Sequence, residues 1–517
     1  MGLLISRNIP RRSAWAYWPG LSRDYDYFSM EMYATLKDLR GIERGVDLEI
    51  KPYVIAGREQ TPAESETEAD AGLDVKWGVT TNLTADFTLN TDFAHVESDT
   101  LQIRTDRFSL YYPEKRDFFN ERKDLFDFGI QGSAQVFHSR RIGLGGSGEI
   151  PILGGARLYG LFGDTNVGLM SMQTRESGGV SGENFTVARV KQNIFSRSYI
   201  GGIVTSRRGY EPDTDDTWGL DFSLLHGPDA GLSGAVARSG RENVEEGDWF
   251  RYLTYFNFTD RFAGRVEYTD IGPDFYPGIG FINRPDQRTL ALNGAWRPRP
   301  GWPGVRQLTV GGSYKRSYNY GGELEASAIG GVLGAEFQTN DGTNLNFWSE
   351  KILIPYDFEL APGYVVNAGC YQQGGFQQEI STSPARRLSG TVKYALGTLY
   401  GGNFKLCESA IAYKPMPRLA FSFEQTAWWF DLPGGRFIHA VYWAGLSYYL
   451  SPELTTRFAF QYDNIYEQLI LNFRLRWIYA PRSEAWLVYD EGRRYDIPGP
   501  SLQDRALILK VVYNFNF

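Results

Sequence analysis

The sequence predicts an all-β protein, a large antiparallel β-barrel that crosses a membrane. Three observations predict it. Apolar and polar residues alternate along many runs of strand length. Of the 517 residues, 15% are aromatic and 58 are glycine. The most apolar segment, residues 440–450, falls far short of the roughly 20 residues a membrane-spanning helix needs.

The alternation is clearest at the end of the chain. Leu507, Leu509, Val511, Tyr513, Phe515 and Phe517 fall on one face of an extended strand, with Lys510, Asn514 and Asn516 on the other. In residues 467–478, Leu469, Leu471, Phe473, Leu475 and Trp477 oppose Gln468, Asn472, Arg474 and Arg476. In residues 456–463, Phe458, Phe460 and Tyr462 oppose Arg457, Gln461 and Asp463. Arginines in a dry core are costly, whereas a wide barrel gives them a water-filled interior. Arg457, Asp463, Asn472, Arg474 and Arg476 are therefore expected to face a lumen.

Composition agrees. Aromatic residues suit the girdles at two membrane interfaces, and mean hydropathy is only −0.35. A soluble propeller or solenoid is the competing class, but no repeat of fixed period is evident. The net charge of −8, without a basic stripe, excludes a nucleic-acid partner. Cys370 and Cys407 read as two lone thiols. No cofactor or metal framework follows.

Residues 1–41 are rich in arginine and aromatics without sustained alternation, and are expected to be the linker or remnant of a preceding module. Leu3, Leu4 and Ile5 make too short an apolar run for an export signal, so the chain is expected to be the downstream part of a longer precursor. The barrel is assigned to residues 42–517. Val46, Leu48 and Ile50 open it, an acidic loop is expected at residues 64–70, and Thr80-Thr81-Asn82 turns a hairpin. Short turns at residues 259–261, 414–417, 451–453 and 480–482 are placed on the periplasmic side, and the acidic breaks at 211–216 and 242–248 outside. At roughly 19 residues per strand and connection, the barrel should hold about 26 strands, within a range of about 24 to 28. Such a barrel must hold water or a plug.

One segment breaks the rhythm. Residues 104–129 place six basic residues (Arg104, Arg107, Lys115, Arg116, Arg122, Lys123) among six acidic ones (Asp106, Glu114, Asp117, Glu121, Asp124, Asp127). Lipid would reject this density, so the segment is expected inside the lumen or at the periplasmic face. The plug-like region is drawn at residues 99–131. Arg104, Arg107, Glu114, Lys115, Arg116, Asp117, Glu121, Arg122 and Asp124 are its candidate constriction residues. The alternative is a solvated periplasmic loop whose charges satisfy one another.

Arg107-Phe108-Ser109-Leu110-Tyr111-Tyr112-Pro113-Glu114-Lys115-Arg116-Asp117-Phe118-Phe119-Asn120-Glu121 resembles the R-F-x-L-F-F-P-E-K-R-x-F-F-x-E signature of an uncharacterised bacterial outer-membrane barrel family, domain of unknown function 5916. Gly72-Leu73-Asp74-Val75-Lys76-Trp77-Gly78, Ser139-Arg140-Arg141-Ile142-Gly143 and Gly278-Ile279-Gly280-Phe281-Ile282-Asn283-Arg284 are similar to the same family. Two departures are Tyr111-Tyr112, where phenylalanine is usual, and the lack of most of the family-9 carbohydrate-binding-like module that usually precedes the barrel. The resemblance implies the bacterial outer membrane and supplies no substrate. The closing Tyr513, Phe515 and Phe517 resemble the C-terminal signal read by barrel-insertion machinery.

No catalytic constellation emerges. Gly143-Leu144-Gly145-Gly146-Ser147-Gly148 matches a dinucleotide fingerprint in spelling, but Glu149-Ile150-Pro151 leads into a strand, so it reads as a glycine-rich turn. His95, His138, His226 and His439 are scattered singly. The expected function is a wide pore or transport channel with a lumenal plug rather than an enzyme. The alternatives are a non-conducting anchor or assembly scaffold for a carbohydrate-binding-like module, and a rim-located hydrolase. Expected partners are outer-membrane lipid and lipopolysaccharide, the insertion machinery and other envelope proteins.

Overall fold

In the computed structural model the alternating runs become antiparallel strands that pair with their neighbours until the last meets the first. The structure describes residues 2–9, 14–20, 33–35, 37, 45–91, 99–145, 148–176, 181–195, 197–209, 215–227, 229–240, 247–497 and 499–517. Strands β1 (Leu48–Gln60), β2 (Ser65–Gly78) and β3 (Leu83–Thr91) come first. A long excursion follows, and β4 (Ile152–Phe162) then pairs with β3. The wall continues to Gly499–Val512, which closes on β1. The terminal Phe515–Asn516 also pairs with β1 and prolongs that strand, so the 25 paired segments form a closed barrel of 24 strands.

That number lies at the lower edge of expectation for two reasons. Among the described residues between Thr91 and Ile152 none joins the wall, and strands such as Gly402–Met416 and Gly435–Tyr449 run to 15 residues. The acidic run 64–70 is also corrected: from Ser65 onward it is part of β2, which projects beyond the apolar band, where its carboxylates stay solvated.

The alternation sorts residues by face. Val54, Phe87, Leu169, Val204, Leu253, Leu333, Phe458 and Leu509 are exposed outward, while their strand neighbours Asp86, Thr205, Thr254 and Lys510 are buried inward. Among the described residues no helix is long and apolar enough to cross a membrane. The turns 79–82, 259–261, 417–418, 450–453 and 481–482 lie at one end of the barrel, with the start of β1 and the end of the chain, while 61–64, 400–401, 433–434 and 464–467 are equally short at the other. The three longest excursions, 92–151, 272–286 and 355–368, all leave from this other end.

Outside the wall, Ile5–Ile9 pairs with Ala14–Trp18 and Gly2–Leu3 with Ala34–Thr35. Leu144–Gly145 pairs with Gly148–Glu149, which makes the fingerprint-like run a hairpin turn. Cys370 and Cys407 are free.

Candidate functional site inside the barrel

The excursion after β3 packs against the inward side of the wall. It leaves from the end of the barrel opposite the start of β1 and the end of the chain. Its first described part touches one arc of the wall through polar contacts. The Leu101 backbone N–H donates to Gln461 Oε1 at 2.8 Å, the Tyr400 hydroxyl to the Thr105 carbonyl at 3.0 Å, and Arg104 to the Glu359 carbonyl at 3.0 Å.

The signature then folds on itself. Glu114 accepts from Arg116 Nε at 2.8 Å and Nη2 at 2.7 Å, from the Lys115 and Arg116 backbone N–H groups, and from the Ser139 hydroxyl at 2.7 Å. Arg116 also donates to the Ile142 and Ser139 carbonyls and lies 4.3 Å over the Phe119 ring. Burial pushes the Glu114 carboxyl up, but the Arg116 hydrogen bonds and charge outweigh it and hold the group below the usual carboxylate range. Lys115 and Arg140 share Asp99, the former at 3.3 Å.

The second half sinks into the opposite arc. Asp117 opens the single turn α1 (Asp117–Asn120), and Arg122, at φ 54°, breaks the chain into a second turn, α2 (Lys123–Phe126). Wall cations hold the carbonyls around these turns. Arg157 reaches Glu121 O at 3.1 Å, Lys191 reaches Asp124 O at 2.6 Å, and Arg189 reaches Leu125 O at 3.2 Å. Arg189 is fully buried and bidentate to Asp221 at 2.8 and 2.6 Å; Arg157 pairs with Asp86. Below these contacts Phe119, Leu125, Phe126 and Phe128 join one dry cluster with inward wall residues Met170, Met172, Val187, Ile203 and Phe250. Two wall glycines make the sockets: a Cβ on Gly168 would stand 2.9 Å from Leu125 and Phe126, and one on Gly219 2.5 Å from Phe128. The tip, residues 121–124, stays exposed; Glu121 pairs with Lys76 and Arg122 with Asp124.

The other signature stretches converge on the same place. Phe281–Ile282 pairs with Ala134–Gln135, which pairs with Gly129–Ile130, forming a small inner sheet. A Cβ on Gly280 would meet the Gln135 carbonyl at 2.2 Å, so only glycine fits there. Tyr111 packs on His138 at 5.1 Å and Phe281 at 5.2 Å, so a phenol ring fills the aromatic position. Arg107 and Arg284 both address Glu325, the former at 3.9 Å. Burial pulls the His138 imidazole down to about 4.

The expected lumen residues fall on the inward face of the C-terminal arc. Arg474 is bidentate to Asp490 at 2.6 and 2.8 Å, and Asn472 donates to the same carboxylate at 2.6 Å. Arg476 pairs with Glu484 at 2.6 Å, Asp463 with His439 at 3.1 Å, and Arg457 lies 5.7 Å from the Trp443 ring. Inward-facing Arg265, Asn293, Ser313, Asn346 and Trp348 line a cavity of about 390 Å³. His226 stacks on Tyr255 at 5.8 Å, His95 lies outside the described residues, and no metal-ligating cluster occurs among the described residues. Sequence reasoning missed the wall partners. A signal existed in Arg157 and Arg189, single arginines at inward positions between small and apolar neighbours, each of which needs a partner.

With this geometry in view, the comparison with families becomes specific. Residues 45–151 match the family model described as Domain of unknown function (DUF5916). The DUF5916 match thus takes in β1 to β3 and the whole inserted segment, the part of the molecule that builds the site. No curated protein matches the sequence. Among solved structures, the chain is similar to the siderophore receptor PirA from Pseudomonas aeruginosa, with 11% identity and a TM-score of 0.45 over 92% of this chain and 81% of that one. The FrpB iron transporter from Neisseria meningitidis gives 10% identity and a TM-score of 0.41 over 92% and 82%. OccK2 from Pseudomonas aeruginosa gives 9% identity and a TM-score of 0.34 over 91% and 98%.

Proposed function

We propose that this DUF5916 protein is a bacterial outer-membrane pore or transport channel, not an enzyme, whose passage is controlled by the inserted segment. One observation carries the reading: a single charged segment runs from Gln461 and Tyr400 on one arc of the wall to Arg157 and Arg189 on the other. In this reading residues 104–116 are the part that moves and residues 117–142 the part that stays. Passage follows the polar C-terminal arc, where half-exposed inward pairs such as Lys393 and Glu408, 3.1 Å apart, keep the surface wet. Tyr513, Phe515 and Phe517 serve as the insertion signal.

Planar-bilayer conductance tests this. Deleting residues 104–116 should raise single-channel conductance several-fold over the intact chain, and the milder pair Tyr400→Phe and Gln461→Ala should increase open events without a change in fold. The dry packing around Phe126 favours a second reading, a sealed anchor that displays a carbohydrate-binding-like module. Silence of both variants in the bilayer would select it.

A further inference from the structure

On the outer face, at the end away from the termini, guanidinium groups gather just beyond the apolar band. Arg251, Asp270 and Arg288 are cross-strand neighbours in one row, and Arg238 stands opposite both Trp218 and Trp249. Their strand neighbours Ala237, Phe250, Ile271 and Thr289 are buried inward, so these residues point outward. Arg251 Nη1 lies 3.0 Å from Asp270 Oδ2 and Arg288 Nε 4.0 Å from Oδ1, while the Tyr320 hydroxyl donates to Asp270 at 2.5 Å. Arg288 lies 4.1 Å over the Tyr320 ring, and Arg238 and Arg251 each lie 5.6 Å from Trp249. Arg238 pairs with Asp248 at 2.6 Å. Despite these contacts the three arginine side chains are 39%, 51% and 46% exposed.

Position decides what such a group meets. The next outward residues toward the middle of the wall are Leu253, Tyr268 and Leu290, all exposed, so the arginines sit where hydrocarbon gives way to headgroups. Outward arginine deeper in the bilayer would be destabilising; at this level it is tolerated, and the rings beside it suit the interface. At the opposite end of the same strands the exposed outward residues are Phe262 and Trp296, while Arg261 and Arg299 stand in the turns beyond them. The three guanidiniums stay partly exposed beside the Asp248, Asp270 and Asp286 carboxylates, and guanidinium matches phosphate by paired hydrogen bonds.

We propose that Arg238, Arg251 and Arg288, set among Trp249 and Tyr320, bind the phosphate groups of an outer-leaflet lipid headgroup. The site rests on the wall facing lipid and is independent of conductance.

The full chain is placed in phosphatidylcholine nanodiscs doped with a bisphosphorylated glucosamine lipid, its dephosphorylated counterpart, or phosphatidylglycerol, and lipids retained per barrel are counted by native mass spectrometry. The phosphorylated lipid should be retained over the other two. Replacing Arg251 and Arg288 together by glutamine should cut that retention at least about tenfold, the loss expected when charge-assisted hydrogen bonds go. Arg251→Lys with Arg288→Lys should keep part of it, and all variants should keep the heat-modifiable gel mobility of a folded barrel. Equal retention of the dephosphorylated lipid, preference for phosphatidylglycerol, unchanged retention in the glutamine variant, or full displacement by an equal concentration of inorganic phosphate would each overturn the assignment.

Discussion

The two arcs of the barrel interior solve the same problem in opposite ways. Between β4 and Ile271 an apolar inward cluster that includes Met170, Met172, Val187, Ile203 and Phe250 receives Phe119, Leu125, Phe126 and Phe128 of the inserted segment. Arg157 and Arg189, the most deeply buried cations of this arc, are doubly engaged and turned to backbone carbonyls of the segment. From Leu388 onward the inward charges pair with wall neighbours instead: Lys393 with Glu408, Arg474 with Asp490, Arg476 with Glu484. The inserted segment makes the first arc into a protein core; in the second, Phe404, Leu406 and Phe430 pack on Phe358, Leu360 and Val366 of the 355–368 excursion, and the paired charges line the rest. A charge held against the segment in the first arc is therefore structural, whereas pairs such as Lys393 and Glu408 in the second stay partly exposed.

The largest test of this contrast is Arg189→Met. It strands the Asp221 carboxylate at a site where both side chains are nearly inaccessible, and frees the carbonyl of Leu125. Breaking a buried pair from one side costs about 3–5 kcal/mol. Urea unfolding in lipid should show a loss of that order together with protease sensitivity of the segment; a loss below about 1 kcal/mol would mean the first arc is wetter than described. Leu125→Ala comes next. It empties a socket beside Gly168 and should cost about 2–5 kcal/mol, with the spread set by how far the segment can collapse.

Acid should act on the first arc in particular. His138 is buried neutral, with its imidazole pulled down to about 4 against an ordinary value near 6.5. The unfolded chain then binds the proton more readily between those two values. Stability is full above about pH 6.5, falls as pH drops toward 4, and levels off below, a total of about 3 kcal/mol by linkage. Glu114, held below its usual range, adds a loss in the same direction at lower pH. His138→Gln should remove the upper part of this slope; a melting profile that stays as steep between pH 6.5 and 4 would place the acid response elsewhere.

Much of this was legible in the chain, because alternation with period two is local. The outward rows ending at Phe517 and the inward Arg474 and Asn472 follow from spacing alone. The charged segment was legible as an exception to that spacing. Its destination was not, since Gln461, Tyr400 and Glu325 lie hundreds of residues away and nothing in their own strands distinguishes them from other inward polar residues. The strand number falls at the lower end of the expected range for a related reason: the average spacing assumed that every stretch of chain builds wall, whereas the described residues 99–145 build none.

The smallest stability effect should come from the second arc, and it sharpens the contrast most. Arg476 and Glu484 form a wall pair whose side chains are 44% and 23% exposed, so water screens the interaction and Arg476→Ala should change stability by no more than about 1 kcal/mol. If this arc borders the passage, the same substitution removes a fixed positive charge from its lining and leaves Glu484 unopposed. The reversal potential in a salt gradient should then shift toward cation preference, while Arg189→Met, by loosening the segment, raises conductance with little change in preference. A neutral effect of Arg476→Ala on both stability and selectivity would show that ions pass elsewhere, with the cavity lined by Arg265 and Asn293 as the next place to substitute.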